Sequence, residues 1–344
     1  MTNSSLTRTP AGSSPVYLAE GGANIVYRFV SAPVKSLTKD PNRPLPSLPI
    51  ESLEQRTLPA SFRGKLLRLR KETAADLSYK EIVQNFNNIV RPLFKPEELV
   101  DQALIRLPDG LIQRCNEHLH IDELSGKRPK KRHGGYLCLD EPFGLLITDM
   151  TTADDPSATM AELKPKWLTQ SPSAPGNARR CRTCALREMK NHEARRMGQT
   201  EQRSFCPLDL VSDHPENVLR ATKFIKGCKD QHRLAKILLR NPILQKLQSE
   251  QRRRDEVGLL GPPALSRDMS LDMTLRDCTM FIKIPRDEIS PVEIRLGDLD
   301  MKTGAGGKSK YWRDVEIKLI GGGWYNGNSQ EASDCALHRA NSST

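Results

Sequence analysis

The segment Glu162-Leu-Lys-Pro-Lys166 carries one carboxylate and two ammonium groups at alternate positions. If it forms a strand, Glu162, Lys164 and Lys166 share one face, because successive side chains of a strand point to opposite sides. Lysines aligned in this way can receive phosphate oxygens. The alternative is an exposed edge strand whose lysines discourage pairing with another chain.

Acidic residues frame a predicted hairpin later in the chain. Asp277 lies just before its first strand, and Asp298-Leu-Asp-Met-Lys302 follows its second strand. In phosphoryl transfer, one carboxylate can bind Mg²⁺ while another accepts the proton of the attacking hydroxyl. Solvated acidic residues at turn ends are the alternative.

A glycine-rich turn, Glu20-Gly-Gly-Ala-Asn24, is predicted between two strands near the N-terminus. Glycines allow backbone N–H groups to approach phosphates without obstruction by side chains. Lys65 and Arg68 on the following strand add cations, and a strand cation beneath a glycine loop is how protein kinases hold nucleotide phosphates. A plain hairpin turn explains the same glycines.

Hydrophobic patterning and turn residues predict the elements that position these groups. The predicted strands are 16–29 with the glycine turn inside it, 65–71, 144–149, 160–167, 277–284 and 291–296. The predicted helices are one from Tyr79 with Ser78 and Glu81 as a capping box, then 97–107, 182–199, 215–255 with a break near Pro242, and 310–319. Residues 33–60 contain six prolines and are predicted to be an excursion loop. Residues 1–14 and 321–344 are predicted to be disordered.

Composition argues against two classes of protein. The 344 residues include 53 Lys and Arg against 42 Asp and Glu, which gives a formal charge of +11. No apolar run approaches the roughly 20 residues of a membrane-spanning helix. The first residues lack the apolar core of a secretory signal. We therefore expect a nuclear or cytosolic protein without a membrane span.

Positive charge is concentrated in two segments. Lys127-Arg-Pro-Lys-Lys-Arg-His133 has five Lys and Arg residues and no acid, and residues 163–203 have ten basic and three acidic residues. Such segments attract the phosphates of nucleic acid, lipid headgroups or small polyphosphates. A nuclear-localisation signal plus solvated helix faces explains the same charges. Aromatic residues are only 5%, which offers a nucleic-acid-binding protein few stacking platforms.

Eight cysteines are scattered along the chain, and we expect them to be reduced thiols. Cys181, Cys184 and Cys206, with His192 or His214, could supply four zinc ligands. The spacing after the first pair is loose and no second Cys-x-x-Cys follows. Ordinary thiols are therefore favoured, and zinc is not expected.

Taken in order, these motifs resemble those of the inositol-pentakisphosphate 2-kinases, most of all the enzymes of filamentous fungi. The resemblance runs from residue 16 to about residue 318. It is carried by Glu20-Gly-Gly-Ala-Asn24, Gly64-Lys-Leu-Leu-Arg-Leu-Arg-Lys71, Arg128-Pro-Lys-Lys-Arg132, Glu162-Leu-Lys-Pro-Lys166, Cys181-Arg-Thr-Cys184, Cys206-Pro-Leu-Asp-Leu210, Arg276-Asp-Cys278 and Asp298-Leu-Asp-Met-Lys302.

The resemblance implies an α/β (α+β) fold with two kinase-like lobes, an N-lobe over 15–125 and a C-lobe over 126–320. It implies transfer of the γ-phosphoryl group of ATP, with Mg²⁺, to the 2-hydroxyl of inositol 1,3,4,5,6-pentakisphosphate, which gives the hexakisphosphate (phytate). We expect a monomer that needs no nucleic acid. Another inositol polyphosphate kinase is the nearer alternative, and a basic nucleic-acid-binding protein the more distant one.

The resemblance also implies roles for individual residues. Asp277 and Lys164 act in catalysis, and Asp298 with Asp300 binds Mg²⁺. The residues implied to bind ATP are Gly21, Gly22, Ala23, Asn24, Arg68, Asp149 and Glu162. The residues implied to bind the inositide are Arg132, Lys166, Arg182, Lys302, Lys310 and Tyr311.

Overall fold

The computed structural model describes residues 7–8, 13–31, 58–72, 77–254, 258–261, 266–303, 308–327 and 333–342. Its contacts divide the chain into two compact units. Unit 1 comprises Met1–Asn88 and Val100–Ser157, and unit 2 comprises Ile89–Leu99 and Ala158–Thr344. Residues 126–157 therefore group with unit 1, and the division into lobes at 125/126 stays a prediction.

In the described part of unit 1, one mixed sheet has six strands in the order β1-β5-β6-β4-β3-β2. All neighbouring pairs are antiparallel except β1 and β5. The strands are β1 (Thr7–Arg8), β2 (Ser13–Glu20), β3 (Asn24–Ser31), β4 (Lys65–Arg70), β5 (Gln102–Arg106) and β6 (Phe143–Thr148). The sheet thus brings the predicted glycine turn and the predicted cation strand next to each other.

Two helices pack on this sheet because its strands alternate apolar side chains on both faces. Helix α1 (Tyr79–Asn85) contributes Tyr79 and Ile82 to a cluster with Phe143 and Leu145. Helix α2 (Leu111–Leu124) joins a larger core that includes Leu67 and Leu69 of β4. Arg68 lies between these two leucines and is placed on the face that carries Tyr79, 5.9 Å from its ring centre.

The predicted cap of the first helix is confirmed. The Ser78 hydroxyl accepts a hydrogen bond from the Glu81 N–H (3.3 Å), and the Glu81 carboxylate accepts one from the Ser78 N–H (2.8 Å). This reciprocal pair satisfies backbone donors that the first turn of a helix leaves free.

The predicted helix over 97–107 is wrong. Only Pro96–Glu98 forms a 3₁₀ turn, and strand β5 follows it. Val100, Leu104 and Leu107 have helical spacing, but all five residues of β5 pair with β6 in the sheet. Backbone pairing with a distant strand has overridden the local pattern, as it often does for short segments. Helix α2 was not predicted.

Unit 2 contains, among its described residues, a three-stranded antiparallel sheet in the order β7-β8-β9. Its strands are β7 (Thr159–Leu163), β8 (Thr279–Ile284) and β9 (Glu293–Gly297). Strands β8 and β9 confirm the predicted hairpin. The helices are α3 (Arg182–Arg196), α4 (Pro215–Thr222), α5 (Gln231–Leu238), α6 (Pro242–Arg254), α7 (Ser266–Leu275), α8 (Lys308–Gly321) and α9 (Ala336–Ser342).

The long helix predicted over 215–255 is three helices. The predicted break near Pro242 is present between α5 and α6. A second break, between α4 and α5, contains Gly227 with φ of 94°. A Cβ atom there would lie 2.0 Å from the Met160 carbonyl oxygen of β7, so only glycine allows this close approach. Helix α7 was not predicted.

Parts of the two ends that were predicted to be disordered are folded. Thr7 and Arg8 pair with β5, and Ser13 pairs with β3. Tyr325 and Cys335 are buried, and α9 follows Cys335. Of the proline-rich segment 33–60, only residues 58–60 lie within the described part. None of the described helices is long and apolar enough to cross a membrane. The α+β class is confirmed by the two sheets and their helices.

Candidate active site

Five charged side chains meet at one edge of the unit 2 sheet. Leu163 at the end of β7 pairs with Met280 of β8, and Thr279 at the start of β8 pairs with Gly297 at the end of β9. These strand ends are therefore neighbours. The residues that continue from them are Lys164, Lys166, Asp277, Asp298 and Lys302.

Asp277 is the centre of this group. Its carboxylate lies 2.9 Å from Lys166 Nζ, 3.0 Å from Lys302 Nζ and 3.4 Å from Lys164 Nζ. Lys164 also donates a hydrogen bond to the Asp277 carbonyl oxygen (3.0 Å). Burial alone would raise the pKa of Asp277, but the ion pairs with Lys166 and Lys302 outweigh it and hold that pKa well below its usual range. Asp277 is therefore an anion held by lysines.

Lys166 and Asp298 depart from ordinary backbone geometry. Both are non-glycine residues with left-handed φ angles of 60° and 55°. Such conformations are strained and persist where the surroundings enforce them, often at functional sites. Gln251 enforces the one at Lys166, because its amide nitrogen donates to the Lys166 carbonyl (2.9 Å) and its oxygen accepts from the Leu168 N–H (2.9 Å).

The expected strand over 160–167 ends earlier, at Leu163. Strand alternation therefore does not align Lys164 with Lys166, as the sequence suggested. Lys164 and Lys166 follow the end of the strand, and the chain turns at Lys166 with a left-handed φ. In this arrangement both ammonium groups reach Asp277.

Asp298 and Glu162 supply further carboxylate oxygens on this side. Thr279 Oγ1 donates to Asp298 Oδ2 (2.5 Å), and Lys164 Nζ lies 3.9 Å from the same oxygen. Desolvation and the negative charge of Asp298 raise the pKa of Glu162. Carboxylate oxygens grouped in this way are the donors that Mg²⁺ prefers, so these residues fit a magnesium ion.

Thr274 of α7 positions the segment that follows Asp298. Its hydroxyl accepts a hydrogen bond from the Lys302 N–H (2.8 Å) and lies 3.5 Å from the Asp300 carbonyl oxygen. Asp300 is thus close in the chain to Asp298 and tied to the same helix.

Lys164, Lys166, Asp277 and Lys302 of this group line a cavity of about 1090 Å³ in unit 2, whereas Asp298 is not among its described lining residues. Among the described residues, its lining contains ten basic residues and only two acidic residues, Glu162 and Asp277. The basic residues are Lys164, Lys166, Arg182, Arg187, Lys190, Arg203, Lys226, Arg276, Lys302 and Lys308. This excess of positive charge makes the cavity a site for a strongly anionic ligand.

Trp167 supports the floor of the cavity between two guanidinium groups. The Arg276 guanidinium lies 3.4 Å and that of Arg182 4.3 Å from the centre of the indole ring. Arg182 Nε also donates to Glu316 (2.7 Å), which accepts from Tyr325 and Ser171 as well. Arg182, expected to be an inositide ligand, therefore lines the cavity with its guanidinium already held by a buried carboxylate.

The structure does not bring every predicted ligand to this cavity. Tyr311 lines it, but Lys310 is not among the lining residues and pairs with Asp314 (2.6 Å) on the exposed side of α8. Arg132 belongs to unit 1, on the 3₁₀ turn Lys130–Arg132.

Several lining cations were not among the predicted site residues. Arg187, Lys190 and Arg203 belong to the basic run over 163–203, so charge density was the signal that could have found them. Lys226 had no such signal, since it depends on the Gly227 break that brings its carbonyl to Glu162 N (3.4 Å). Lys308 follows 304–307, which lie outside the described residues.

The glycine turn of unit 1 is an exposed connection between β2 and β3. Gly21 N–H donates to the Asn24 carbonyl (2.9 Å), and the Asn24 side-chain oxygen accepts from the Tyr79 hydroxyl (3.1 Å). A Cβ atom on Gly22 would meet nothing within 4 Å. The turn itself therefore does not require a glycine at 22, and the open space beside it is available to a ligand.

A buried ion-pair network holds this turn. Glu20 lies 2.5 Å from Lys71 Nζ and 2.9 Å from Arg128 Nε, and all three side chains are at most 5% exposed. Lys71 also donates to the Gly21 carbonyl (3.1 Å). Burial alone would raise the pKa of Glu20, but hydrogen bonds from Arg128 and Lys71 lower it to about 2. Sequence reasoning assigned no role to these three residues together.

The other predicted nucleotide residues lie on the same sheet. Arg68 is on β4, whose partner β3 begins at Asn24. Asp149 follows β6; its N–H donates to the Gly64 carbonyl (2.8 Å), and its side chain accepts from the Thr151 N–H (2.7 Å). Glu162, also expected at the nucleotide, lies instead in unit 2.

Comparison with known proteins gives one consistent result. The family model described as inositol-pentakisphosphate 2-kinase matches residues 17–318. An inositol-pentakisphosphate 2-kinase of Yarrowia lipolytica is 29% identical over 298 residues, covering 79% of this chain and 88% of that protein. One of Debaryomyces hansenii is 25% identical over 336 residues, covering 75% and 85% respectively.

Proposed function

The chain belongs to the inositol-pentakisphosphate 2-kinase family, and we propose that its basic cavity binds inositol pentakisphosphate for transfer of the terminal phosphoryl group of ATP to the 2-hydroxyl. The product is inositol hexakisphosphate. The observation that carries this proposal is the ring of cations around Asp277, because it pairs an anion-binding cavity with a carboxylate that can meet a hydroxyl.

The charge of the cavity matches that of the ligand. Each phosphate monoester carries about −1.5 to −2 near neutral pH, so five bring roughly −8 to −10. The described lining has ten basic and two acidic residues. Two of its arginines, Arg182 and Arg276, are already paired with the buried acids Glu316 and Asp272, which leaves an excess of six positive charges for a ligand. Arginines in the lining can hold phosphates through two parallel hydrogen bonds, whereas lysines act as point charges.

Asp277 is the proposed proton acceptor, and its lysines link binding to catalysis. In the free protein, three ammonium groups neutralise Asp277 and make it a weak base. Incoming phosphates compete for Lys164, Lys166 and Lys302. Loss of those ion pairs raises the pKa of Asp277 toward its usual range, which suits a group that accepts a hydrogen bond and then a proton from the 2-hydroxyl.

Lys164 is proposed to act on the transferred group. Its ammonium group lies between the carboxylates of Asp277 and Asp298, at 3.4 and 3.9 Å. A cation in this position stabilises the negative charge on the phosphoryl oxygens during transfer.

Asp298, with Asp300 and Glu162, is the proposed Mg²⁺ ligand set. Asp298 is 58% exposed and oriented by Thr279, so its oxygens are accessible and fixed. Bound Mg²⁺ supplies charge neutralisation on the phosphates of ATP. The protein positions the ligand oxygens through the left-handed turn at Asp298.

In unit 1, we assign the ATP phosphates to the turn Gly21–Asn24 and to Arg68. The open space at Gly22 and the backbone N–H groups of the turn support this assignment. Asp149, whose backbone is tied to Gly64, is proposed to contact the base or ribose.

We further propose that the protein acts as a monomer in the nucleus or cytosol. The described lining residues of the cavity all come from unit 2 of a single chain, which supports an inositide site built without residues of a partner. Lys127, Lys130 and Lys131 of the basic segment are exposed, which leaves them accessible to an import receptor.

The test is an assay of the purified full-length chain with ATP, Mg²⁺ and inositol 1,3,4,5,6-pentakisphosphate, with products separated by anion exchange. We expect a hexakisphosphate peak that is lost in Asp298→Ala and kept in Asp213→Ala. Asp213 is a suitable control because it is 75% exposed and pairs only at the surface with Arg240. Inositide binding without product would contradict the proposed reaction, and no inositide binding would contradict the proposed ligand.

A further inference from the structure

A buried carboxylate lies behind the lining of the cavity. Glu316 of α8 is fully buried and is not among the described residues that line the cavity. Its Oε2 accepts a hydrogen bond from Arg182 Nε (2.7 Å), and its Oε1 accepts from the hydroxyls of Ser171 (2.8 Å) and Tyr325 (2.6 Å). All four residues are at most 5% exposed. We call these four residues the Glu316 cluster.

The three donors of the cluster fix the direction of the carboxylate. They come from three parts of unit 2, namely the chain before α3, the first turn of α3 and the chain after α8. Rotation of the Glu316 carboxylate would break at least one of these hydrogen bonds, and a fully satisfied buried network is rigid. Burial and the negative charge of Glu316 raise the pKa of Tyr325, so its hydroxyl remains a donor at neutral pH.

Two contacts restrict the guanidinium of Arg182. Its Nε is held by Glu316, and its central carbon lies 4.3 Å from the centre of the Trp167 ring. A guanidinium is planar and stacks on aromatic faces. The indole therefore limits the tilt of this plane, and the hydrogen bond limits rotation within it.

The outer nitrogens of Arg182 are left for a ligand. Within the described part of the chain, neither Nη nitrogen of Arg182 makes a hydrogen bond, although the residue lines the cavity. Arg187 shows the contrasting arrangement, because its two Nη nitrogens donate to the Phe205 carbonyl (2.9 Å) and to Cys184 Sγ (3.3 Å). A fixed Nε with two open Nη nitrogens suits a bidentate contact with one phosphate.

The segment after α8 connects the carboxylate to the start of α3 in a second way. The Tyr325 carbonyl oxygen accepts hydrogen bonds from the N–H groups of Arg179 (3.0 Å) and Arg180 (2.8 Å). The backbone just before Arg182 is therefore tied to the residue whose hydroxyl holds Glu316. Tyr325 lies beyond the family match, which ends at residue 318.

We propose that Glu316, fixed by Tyr325 and Ser171, is a positioning residue that aims the two Nη groups of Arg182 at one phosphate of the inositide. This inference deepens the proposed function and rests on it. Glu316 acts only through Arg182 and does not touch the ligand. Because Glu316 balances the charge of Arg182, the arginine adds a fixed pair of donors and little net charge. Its contribution therefore depends on where a phosphate lies.

The first test removes single hydroxyl groups and leaves every charge in place. Tyr325→Phe should raise the Kd for inositol 1,3,4,5,6-pentakisphosphate about tenfold, measured by calorimetry, because a hydrogen bond to a charged group is lost. Ser171→Ala removes the other hydroxyl and should act in the same direction. The KM for ATP should stay unchanged in both variants. An unchanged inositide Kd in either folded variant would overturn the proposal.

Tyr136→Phe is the matched control. The Tyr136 hydroxyl also donates to a carboxylate, Oε2 of Glu123 (2.8 Å), but it belongs to unit 1. This variant should leave the Kd for the inositide unchanged. A tenfold rise in the control would show that the loss in Tyr325→Phe is not specific to the Glu316 cluster, and would contradict the proposal.

The second test is a double-mutant cycle with Arg182→Lys, which removes the Nε and the two Nη groups. If Glu316 acts through Arg182, Tyr325→Phe should change the Kd less than about twofold in the Arg182→Lys background. Glu316→Gln should likewise have little further effect in that background. A further tenfold rise from Tyr325→Phe would mean general damage to the cavity and would overturn the positioning role.

The third test uses the inositol tetrakisphosphates that each lack one of the five phosphates. The loss of affinity caused by Tyr325→Phe should disappear for one of these compounds, the one without the phosphate that Arg182 holds. An equal loss with every tetrakisphosphate would contradict the proposal. These measurements report binding, so they decide the inference even if the wild-type chain forms no hexakisphosphate. A wild-type chain that binds no inositide would overturn the proposed ligand and this inference together.

Discussion

The role that we propose for Asp277 combines ligand binding with chemistry. A carboxylate within 3.4 Å of three ammonium groups has lost most of its basicity, yet it keeps those lysines together before the ligand arrives. Like charges brought together without such an anion repel one another. In the proposed mechanism, Asp277 holds the three lysines in position until the phosphates of the inositide displace it from them.

This role predicts an unusual phenotype for Asp277→Asn. We expect kcat to fall by about 10²- to 10⁴-fold, the usual contribution of a general base. Inositide affinity should stay the same or increase, because the asparagine no longer competes with phosphates for the lysines. Single-turnover kinetics and calorimetric titration with inositol pentakisphosphate measure the two effects separately.

Asp213→Asn is the matched control, since it makes the same chemical change in a carboxylate that pairs with Arg240 at the surface. It should alter neither kcat nor affinity. A large loss of inositide affinity in Asp277→Asn, with kcat near the wild-type value, would show that Asp277 builds the cavity and takes no part in the transfer.

At the scale of elements, the turn between β2 and β3 allows folding stability and the proposed ATP binding to be tested separately. Gly22 has open space where a Cβ would lie, so Gly22→Ala should change the free energy of unfolding by less than about 0.5 kcal/mol. The added methyl group would occupy the space that we assign to the phosphates of ATP. We therefore expect the KM for ATP to rise about tenfold, equivalent to about 1.4 kcal/mol.

Gly144→Ala on β6 should have the opposite effects, a loss of stability without a change in the KM for ATP. Its Cβ would lie 2.8 Å from a Leu67 methyl carbon and 3.0 Å from Leu69 and Leu107. Overpacking of this kind destabilises by about 1–3 kcal/mol, while the KM for ATP should stay unchanged. Urea denaturation and steady-state kinetics on both variants test the pair. An unchanged KM in Gly22→Ala would remove the turn from the ATP site.

The elements that the sequence predicted correctly are those whose signal is local. The capping box at Ser78 and the hairpin of β8 and β9 depend on residues close together in the chain. Strand β5 was mistaken for a helix because its identity depends on pairing with β6, about forty residues away. The folded C-terminal segment was missed for the same reason, since Cys335 meets Cys181 only in the tertiary structure.

The candidate site, like the fold, could be predicted only in part from the sequence. Acids and lysines next to strand ends identified Lys164, Lys166, Asp277, Asp298 and Lys302, and the structure brings these together. The order of motifs cannot reveal which cations line a cavity. Lys226 and Lys308 line it but were not among the predicted site residues, and Lys310, a predicted inositide ligand, is not among the described lining residues. The left-handed turn at Lys166 also has no signature in the residue type.

At the scale of the whole molecule, the charges that add up to the formal +11 are arranged differently in the two units. In unit 2, ten cations line the cavity, and its described lining contains only two acidic residues. In unit 1, Lys71 and Arg128 are buried against Glu20 and Glu123 instead. An excess of positive charge thus indicates a ligand site, and cations balanced by buried acids indicate a structural role.

The balanced network makes a prediction about the pH dependence of the stability. The pKa of Glu20 falls from about 4.5 to about 2 on folding. Between these pH values Glu20 is protonated in the unfolded chain and ionised in the folded chain, so the free energy of unfolding decreases as pH falls. The contribution of Glu20 is fully present above pH 4.5 or so and is lost below about 2.

Glu20→Gln tests this dependence. At pH 7 the variant should be about 3 kcal/mol less stable, because it leaves two buried cations without their anion. The difference from wild type should shrink as pH falls from 4.5 toward 2, where protonated Glu20 resembles glutamine. Urea midpoints by circular dichroism, measured against the exposed control Glu117→Gln on α2, give the curve. A difference that stays constant down to pH 2 would mean that packing around Glu20, and not its charge, holds the turn between β2 and β3 in place.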